Sequence, residues 1–331
     1  MKKRIALLYG GAPGEHEVSL MGYEYVSELL RNTDYEILPV YIGKDGRWSI
    51  RIGAVTYPAY LTANEDGSLY TGYGFIRIDG AIPLLHGEGG EDGSVQGALE
   101  CAGVPYVGAG VCASALCLDK TYAKLIADSL GIPTVKSVSF GRHDSAEAAL
   151  EKAKSALDFP MFIKPRRLGS SVGAYAVKDE GEFPEKYRLA SSVGDGLVII
   201  ESCLSNKREL ECAFVEFEGK RIVTPPGEIL INGFYGYSEK YGGTTRTEPR
   251  ANIDTDTAKA ILDFSKRISD AMMLRHLGRI DFFLSEGEIF FNEINTFPGF
   301  TKESLYPKML ESYGISPREA LLSFIKDALS C

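Results

Sequence analysis

The sequence predicts an α/β fold that opens on a βαβ unit with a parallel sheet, and three observations carry that prediction. Residues 4–9 are an apolar run with the length of a buried strand. The glycine-rich loop Gly10-Gly11-Ala12-Pro13-Gly14 follows, and a helical pattern runs from Glu15-His16 to about residue 30. Residues 35–41 form a second strand, so strand, turn, helix and strand come in βαβ order. Such sheets take ligands at the carboxyl ends of their strands. The 331 residues provide for two or three domains.

Composition removes several classes of function. Hydrophobic content of 44% and charged content of 24% are ordinary for a globular protein. A net charge of −9 argues against nucleic-acid binding, which leaves a basic footprint. Six cysteines without a Cys-x-x-Cys pair read as free thiols of a reducing compartment. The start Met1-Lys2-Lys3-Arg4 imitates a signal peptide, but its apolar run stops at Gly10-Gly11. No segment reaches the ~20 apolar residues of a membrane span. The expectation is a cytoplasmic protein with no nucleic-acid or membrane partner.

Taken in order, the remaining elements place a series of polar residues at strand ends and turns. Residues 82–85 are a strand that ends in His86-Gly87-Glu88-Gly89-Gly90-Glu91-Asp92-Gly93 and opens a helix over 94–102. His86 thus stands at a strand end, facing a loop. Residues 114–130 read as one helix with Asp119-Lys120 inside it, where a lysine is by default solvated. A strand over 134–140 and a helix over 145–157 follow. The strand 161–165 carries Lys164 and leads through Gly169-Ser170-Ser171-Val172-Gly173 to a strand over 174–177. That turn offers backbone N–H groups and hydroxyls to phosphate oxygens, although a plain hairpin turn has the same composition. The apolar run 197–204 contains Glu201, and Arg208-Glu209-Leu210-Glu211 alternates as an edge strand would. Residues 230–250 are the longest irregular stretch, with glycines, tyrosines and Lys240, as in a mobile lid or a disordered surface loop. Helices are predicted over 257–273 and 316–329.

The most telling stretch is Arg279-Ile280-Asp281-Phe282-Phe283-Leu284, then Ser285-Glu286-Gly287-Glu288, then Ile289-Phe290-Phe291-Asn292-Glu293-Ile294-Asn295. Two β-branched and aromatic runs around a glycine turn predict a hairpin. Glu293 and Asn295, two apart, share a face. A two-residue turn would pair Asp281 with Asn292 and turn it away, whereas a three-residue loop centred on Gly287 would pair it with Glu293. In the second register two carboxylates and an amide oxygen converge, a set that suits Mg²⁺.

Here a family resemblance emerges. Arg279-x-Asp281, then Glu293-x-Asn295-Thr296-x-Pro298-Gly299-Phe300-Thr301-x-x-Ser304, resembles the C-terminal signature of the D-alanine–D-alanine ligases of the ATP-grasp superfamily. Gly10-Gly11-x-x-x-Glu15-His16-Glu17-Val18-Ser19-Leu20 and His86-Gly87-x-x-Gly90-Glu91-Asp92-Gly93 are similar to its N-terminal motifs. The resemblance implies a three-domain ATP-grasp protein, divided at 1–108, 109–206 and 207–331. It implies ATP-dependent, ADP-forming joining of two D-alanines through an acylphosphate, for peptidoglycan synthesis. By the same carry-over Glu15, Ser170, Tyr241, Arg279 and Gly299 are catalytic. His86, Tyr235, Ser304 and Leu305 bind the amino acids. Lys120, Lys164, Ser171, Glu201, Leu204, Glu209 and Lys240 bind ATP. Asp281, Glu293 and Asn295 bind Mg²⁺, with Mn²⁺ as an alternative. The implied partners are D-alanine and ATP, and the implied assembly is a homodimer.

The chain also departs from the family pattern. Met273-Leu274-Arg275-His276-Leu277-Gly278 stands where glycines are usual, the loop after Tyr241 is short, and Glu303 replaces a histidine. Two other functions stay open at this stage. One is a related ligase that makes D-Ala–D-Ser or another dipeptide; the other is a nucleotide-binding regulator without activity.

Overall fold

The computed structural model describes residues 2–63, 67–230 and 246–330. Ile5, Ala6, Leu7 and Leu8 are all buried because β1 (Lys3–Gly10) lies between parallel neighbours. α1 (His16–Leu29) carries the chain to β2 (Tyr35–Ile42), which pairs in parallel with β1. The pattern then changes. β3 (Trp48–Ile52), β4 (Val55–Leu61), β5 (Ser68–Thr71) and β6 (Gly74–Arg77) add antiparallel pairs beyond β2. β7 (Gly80–Leu84) pairs in parallel on the other side of β1, and α2 (Ser94–Cys101) follows. The sheet is therefore mixed, and its parallel part is β2, β1 and β7. The antiparallel meander escaped the sequence reading because several of its aromatics, Tyr60, Tyr73 and Phe75 among them, are exposed. Since β2 and β7 flank β1, a crevice opens between the carboxyl ends of β1 and β7. The loops 10–15 and 86–93 leave from there.

The helix predicted over 114–130 is two helices, α3 (Val111–Leu118) and α4 (Lys120–Ser129). Asp119 separates them with extended backbone and caps α4 by accepting the Thr121 N–H at 3.0 Å. It is fully buried and also receives Arg166 and Arg167, which a mid-helix position would not allow. Next come β8 (Ser137–Phe140), α5 (Ala146–Lys154), β9 (Met161–Pro165), β10 (Tyr175–Val177), α6 (Phe183–Ser191) and β11 (Val198–Ser202). They form an antiparallel sheet, β10-β9-β11-β8, with its core around Phe140, Met161, Phe183 and Tyr187.

The third unit contains β12 (Arg208–Phe217), β13 (Lys220–Val223), β14 (Gly227–Leu230), β15 (Arg246–Glu248) and α7 (Thr255–Ala271). β16 (Leu277–Ser285), β17 (Glu288–Asn295), α8 (Leu305–Tyr313) and α9 (Pro317–Ala328) complete it. The 208–211 segment is not an edge. β12 pairs with β16 on one side and with β14 and β13 on the other. Its alternation separates two covered faces: Leu210, Cys212 and Phe214 enter the core with Ile261 and Ile268 of α7, while Glu209 and Glu211 line a cavity.

The hairpin corrects the loop-length argument. Its turn has two residues, Glu286 and Gly287, both in the left-handed region, and Ser285 pairs with Glu288. Yet Asp281 pairs with Glu293, because a β-bulge takes Asn292 out of the ladder between Asp281 and Phe282. The bulge also resolves a conflict of faces. Phe291 and Glu293, two apart, would share a face in a regular strand, but Phe291 is in the core and Glu293 lines the cavity.

Candidate functional site

A cavity of about 550 Å³ lies between the second and third sheets. Each wall follows from a strand's alternation. β9 supplies Lys164, β11 supplies Glu201, and the chain just beyond β11 supplies Leu204. Glu209 and Glu211 come from β12, Asp281 from β16 and Glu293 from β17. The turn with Ser170 and Ser171 closes one end, both residues in the left-handed region that is costly for serine and is found at functional sites. A second cavity, of about 30 Å³, is lined by Glu15, Glu91 and Asn295. Lys120, Gly169 and Glu293 line both cavities, so the two meet at those residues.

The large cavity is a balanced array of buried charge. Lys164 Nζ is 2.8 Å from Glu201 Oε2, and Lys124 Nζ is 3.0 Å from Glu201 Oε1. Burial opposes ionisation of Glu201, but Lys124 and Lys164 outweigh it and hold the carboxyl down at about 2. Burial pushes Lys124 down from the usual lysine range, against the pull of Glu201. Lys120 Nζ is 3.2 Å from Glu293 Oε2 and donates to the Leu168 carbonyl at 2.8 Å. Arg279 donates to both oxygens of Asp281 at 2.7 Å, and its Nε lies 3.2 Å from Glu211. Burial alone would lower its pKa, but Asp281 and Glu211 keep the guanidinium firmly charged. Asn295 Nδ2 donates to Asp281 Oδ2 at 3.1 Å.

At the small cavity, Glu15 ends the β1 loop. Its side chain does not cap α1; instead it accepts the Ser170 hydroxyl at 2.6 Å. His86 Nδ1 donates to the Phe297 carbonyl at 3.0 Å, and its buried Nε2 has no hydrogen-bond partner among the described residues. Glu91 is buried behind it and accepts the N–H groups of Gly87 and Phe297, each at 3.0 Å. Burial pushes the Glu91 carboxyl up, with His86 pulling the other way. Ser304 precedes α8, and its Oγ lies 2.8 Å from Thr301 Oγ1. A Cβ on Gly299 would stand 3.0 Å from that Oγ, so any larger residue would have to push the Ser304 hydroxyl aside. Leu305 begins α8 and packs in the core with Phe300 and Tyr306.

The structure thus gathers Glu15, Lys120, Lys164, Ser170, Ser171, Glu201, Leu204, Glu209, Asp281, Glu293 and Asn295 around two joined cavities. His86, Arg279, Gly299, Ser304 and Leu305 line neither, Arg279 reaching the large cavity through Asp281 and Glu211. Tyr235, Lys240 and Tyr241 lie outside the described residues. The sequence reading passed over Lys124, Glu211, Asn292 and Glu91. Lys124 stands one helical turn after Lys120, and Glu211 two residues after Glu209, so helical and strand periods would have found both. Glu91 stands in the His86–Gly93 motif, which could have pointed to it, whereas Asn292 carries no such signal.

Comparison with known proteins bears on this geometry. Residues 4–109 match the family model described as D-ala D-ala ligase N-terminus, and residues 126–326 match D-ala D-ala ligase C-terminus. A D-alanine–D-alanine ligase of Thermoanaerobacter sp. (strain X514) is 38% identical, over 95% of this chain and 93% of its own length. One from Vibrio cholerae serotype O1 is 37% identical over 99% and 98%. Among solved structures, the D-alanyl-alanine synthetase A of Vibrio cholerae superposes with a TM-score of 0.89 at 36% identity, covering 100% of both chains. The VanG D-Ala:D-Ser ligase of Enterococcus faecalis also reaches 0.89, at 34% identity over 99% of this chain and 100% of its own.

Proposed function

The chain belongs to the D-alanine–D-alanine ligase family, and from the placement of its charged groups we propose how its residues divide the work. The reaction is ATP-dependent, ADP-forming ligation of two D-alanines to D-alanyl-D-alanine, for peptidoglycan synthesis. One observation carries the assignment of roles: an ATP-sized cavity meets a small acid-lined one at Lys120, Gly169 and Glu293. Among the described residues, a phosphoryl group leaving the first passes those three to reach a carboxylate in the second.

ATP lies in the large cavity, with Glu201 and Leu204 on adenine and Glu209 on ribose. Lys120, Lys164 and Ser171 face its phosphates, and the family resemblance assigns Lys240 to the same task. Asp281, Glu293 and Asn295 would hold Mg²⁺ or Mn²⁺. The donor set fits in kind, since two carboxylates and an amide are the hard oxygen donors such ions take, and Asn295 would turn its oxygen inward in place of the amide donor it now gives Asp281. When bound, the ion would supply positive charge to the phosphate oxygens. Glu15 receives the ammonium of the first D-alanine and is aligned by Ser170, with Tyr241 as a third member. His86, through its unpartnered Nε2, and Tyr235 complete that pocket. The carboxylate oxygen bonds to the terminal phosphorus as the bond to the ADP oxygen breaks. The amine of the second D-alanine then attacks the acylphosphate carbon, and inorganic phosphate departs. Arg279 and the Gly299 N–H face the developing oxyanion, and Ser304 takes the second carboxylate.

D-alanine is the second substrate in this reading. Leu305 packs in the core beside Ser304 rather than lining a cavity and offers no donor to a hydroxyl, and apolar surroundings reject an isostere weakly, by about a hundredfold at best. Incubation with ATP, Mg²⁺ and equal D-alanine and D-serine, read by mass spectrometry, tests it. D-Ala–D-Ala is expected to dominate, and a dominant serine product overturns the assignment. Among the described residues no helix is long and apolar enough to cross a membrane. A cytoplasmic homodimer is the assembly we propose, and light scattering in solution tests the dimer.

A further inference from the structure

The segment just before Arg279 has a geometry that the reaction does not use. Leu277 N–H donates to the Arg275 carbonyl at 2.8 Å, and His276 between them has φ +62°. That is a γ-turn of the strained kind, which persists only where its surroundings hold it. The His276 ring is fully buried, and Gly108 N lies 2.9 Å from its Nδ1. A backbone N–H can only donate, so Nδ1 accepts and Nε2 carries the ring proton. Nε2 then donates to Asp327 of α9 at 3.0 Å. The His276 backbone exchanges two hydrogen bonds with Glu216 of β12, at 2.7 Å and 2.8 Å.

The neighbouring side chain completes the grip. Arg275 Nε donates to the Gly108 carbonyl at 3.1 Å, with its guanidinium 5.2 Å from the Tyr106 ring centre. Both polar groups of Gly108 are therefore held by consecutive side chains. Gly108, at φ +108°, is where the chain passes from the first sheet towards α3. A Cβ there would touch the Phe297 ring at 3.6 Å. Phe297 is in turn tied by its backbone to His86 and Glu91, two residues before Gly299.

Glu216, His276 and Asp327 lie close enough together to raise the question of a cation. The tautomer answers against one. Ligation through Nε2 would move the ring proton to Nδ1, against the Gly108 N–H.

We propose that His276, with Arg275, is a positioning residue for the amino-acid half of the reaction, locking the Gly108 crossover to α9 and so setting Phe297 and Gly299 against the loop of His86 and Glu91. This rests on the ligase reading above. Arg275 and His276 line neither cavity, but their contacts lead through Gly108 and Phe297 to His86 and Glu91, so their loss acts on D-alanine and not on the nucleotide. His276→Asn keeps an acceptor near the Nδ1 position and tolerates positive φ. His276→Gln reaches the Nε2 position and leaves Gly108 N–H without its acceptor. Arg275→Met keeps the stem over Tyr106 and loses the bond to the Gly108 carbonyl. One lost hydrogen bond is worth roughly a factor of ten. KM for D-alanine is therefore expected to rise about tenfold in H276Q and R275M, with KM for ATP within about twofold of wild type and H276N in between, since it keeps the Gly108 acceptor and loses the Asp327 bond. If H276Q does not fold, R275M carries the same readout. Equal rises in both KM values, or lowered melting temperatures with both KM values unchanged, overturn the proposal. Nitrogen-15 NMR of the chain's four histidines gives an independent reading. The ring signal missing from H276N must show protonated Nε2 and bare Nδ1; the opposite tautomer, or a ring that takes up added Zn²⁺, also overturns it. A wild-type chain that releases no ADP with D-alanine would refute the ligase reading and leave the tautomer result standing.

Discussion

At the scale of single residues, the site is governed by charges that cannot stay buried alone. Lys120 faces Glu293 at 3.2 Å, and both line the passage between the cavities. Glu293→Gln removes an anionic donor from the metal set and leaves Lys120 facing an amide. Ligation is expected to fall on the order of a hundredfold or more, with cooperative melting kept at a somewhat lower temperature, because Lys120 loses its counter-charge but retains the Leu168 carbonyl. Steady-state ADP release beside a melting curve checks this; near-normal turnover would refute both the metal and the passage roles. Asp119 is a different case. It is fully buried, caps α4 and neutralises Arg166 and Arg167. Asp119→Ala strands a largely buried guanidinium and is expected to destabilise the fold by about 3–5 kcal/mol. Urea unfolding of the two proteins measures it, and a difference within error would mean that the arginines find other partners.

At the scale of elements, the hairpin of β16 and β17 shows how a register can be right for an unforeseen reason. The two-residue turn and the facing of Asp281 with Glu293 are compatible only through the bulge at Asn292. Deleting Asn292 should leave a regular ladder with Phe291 still in the core and Glu293 still towards the cavity. The variant is expected to unfold cooperatively near the wild-type temperature. Its turnover should drop roughly ten- to a hundredfold, since the bulge adds local twist that aims Glu293. Circular dichroism melting and ADP release decide this together; loss of cooperative unfolding would show that the bulge does more than reconcile turn and face.

At the scale of the whole molecule, the contact of His276 with Gly108 and Asp327 joins the first sheet, the third unit and the last helix. Burial, then the nearby Arg275 charge, push the ring down to about 4 from an ordinary 6.5, against the pull of Asp327. Glu216 meets the backbone beside it. A histidine kept neutral by folding contributes stability that is complete above pH 6.5. That contribution declines as pH falls, because the unfolded chain then binds the proton the fold refuses. By pH 4 it is gone, a loss of about 3 kcal/mol. Urea unfolding at several values between pH 7 and 4 is expected to show this slope, and H276N to flatten it. An equal slope in both proteins would place the acid sensitivity elsewhere. Glu201, held at about 2, adds a loss only at more acid pH, below 4.5.

The sequence by itself determined what depends on period and punctuation. The βαβ opening, the hairpin, the helix-start position of Glu15, the strand-end position of His86 and the motif that names the family are all local patterns, readable because side-chain direction follows backbone geometry. Even Lys124 and Glu211 were legible by spacing. Tertiary structure alone decided what depends on neighbours distant in the chain. The break at Asp119 forms because two arginines nearly fifty residues later converge on it. β12 is interior because β16 and β14 arrive on either side. Glu91 reaches Phe297 over 206 residues, and His276 reaches Gly108 over 168. A buried polar group takes whichever partner the fold delivers, and no window of sequence contains both members of such a pair.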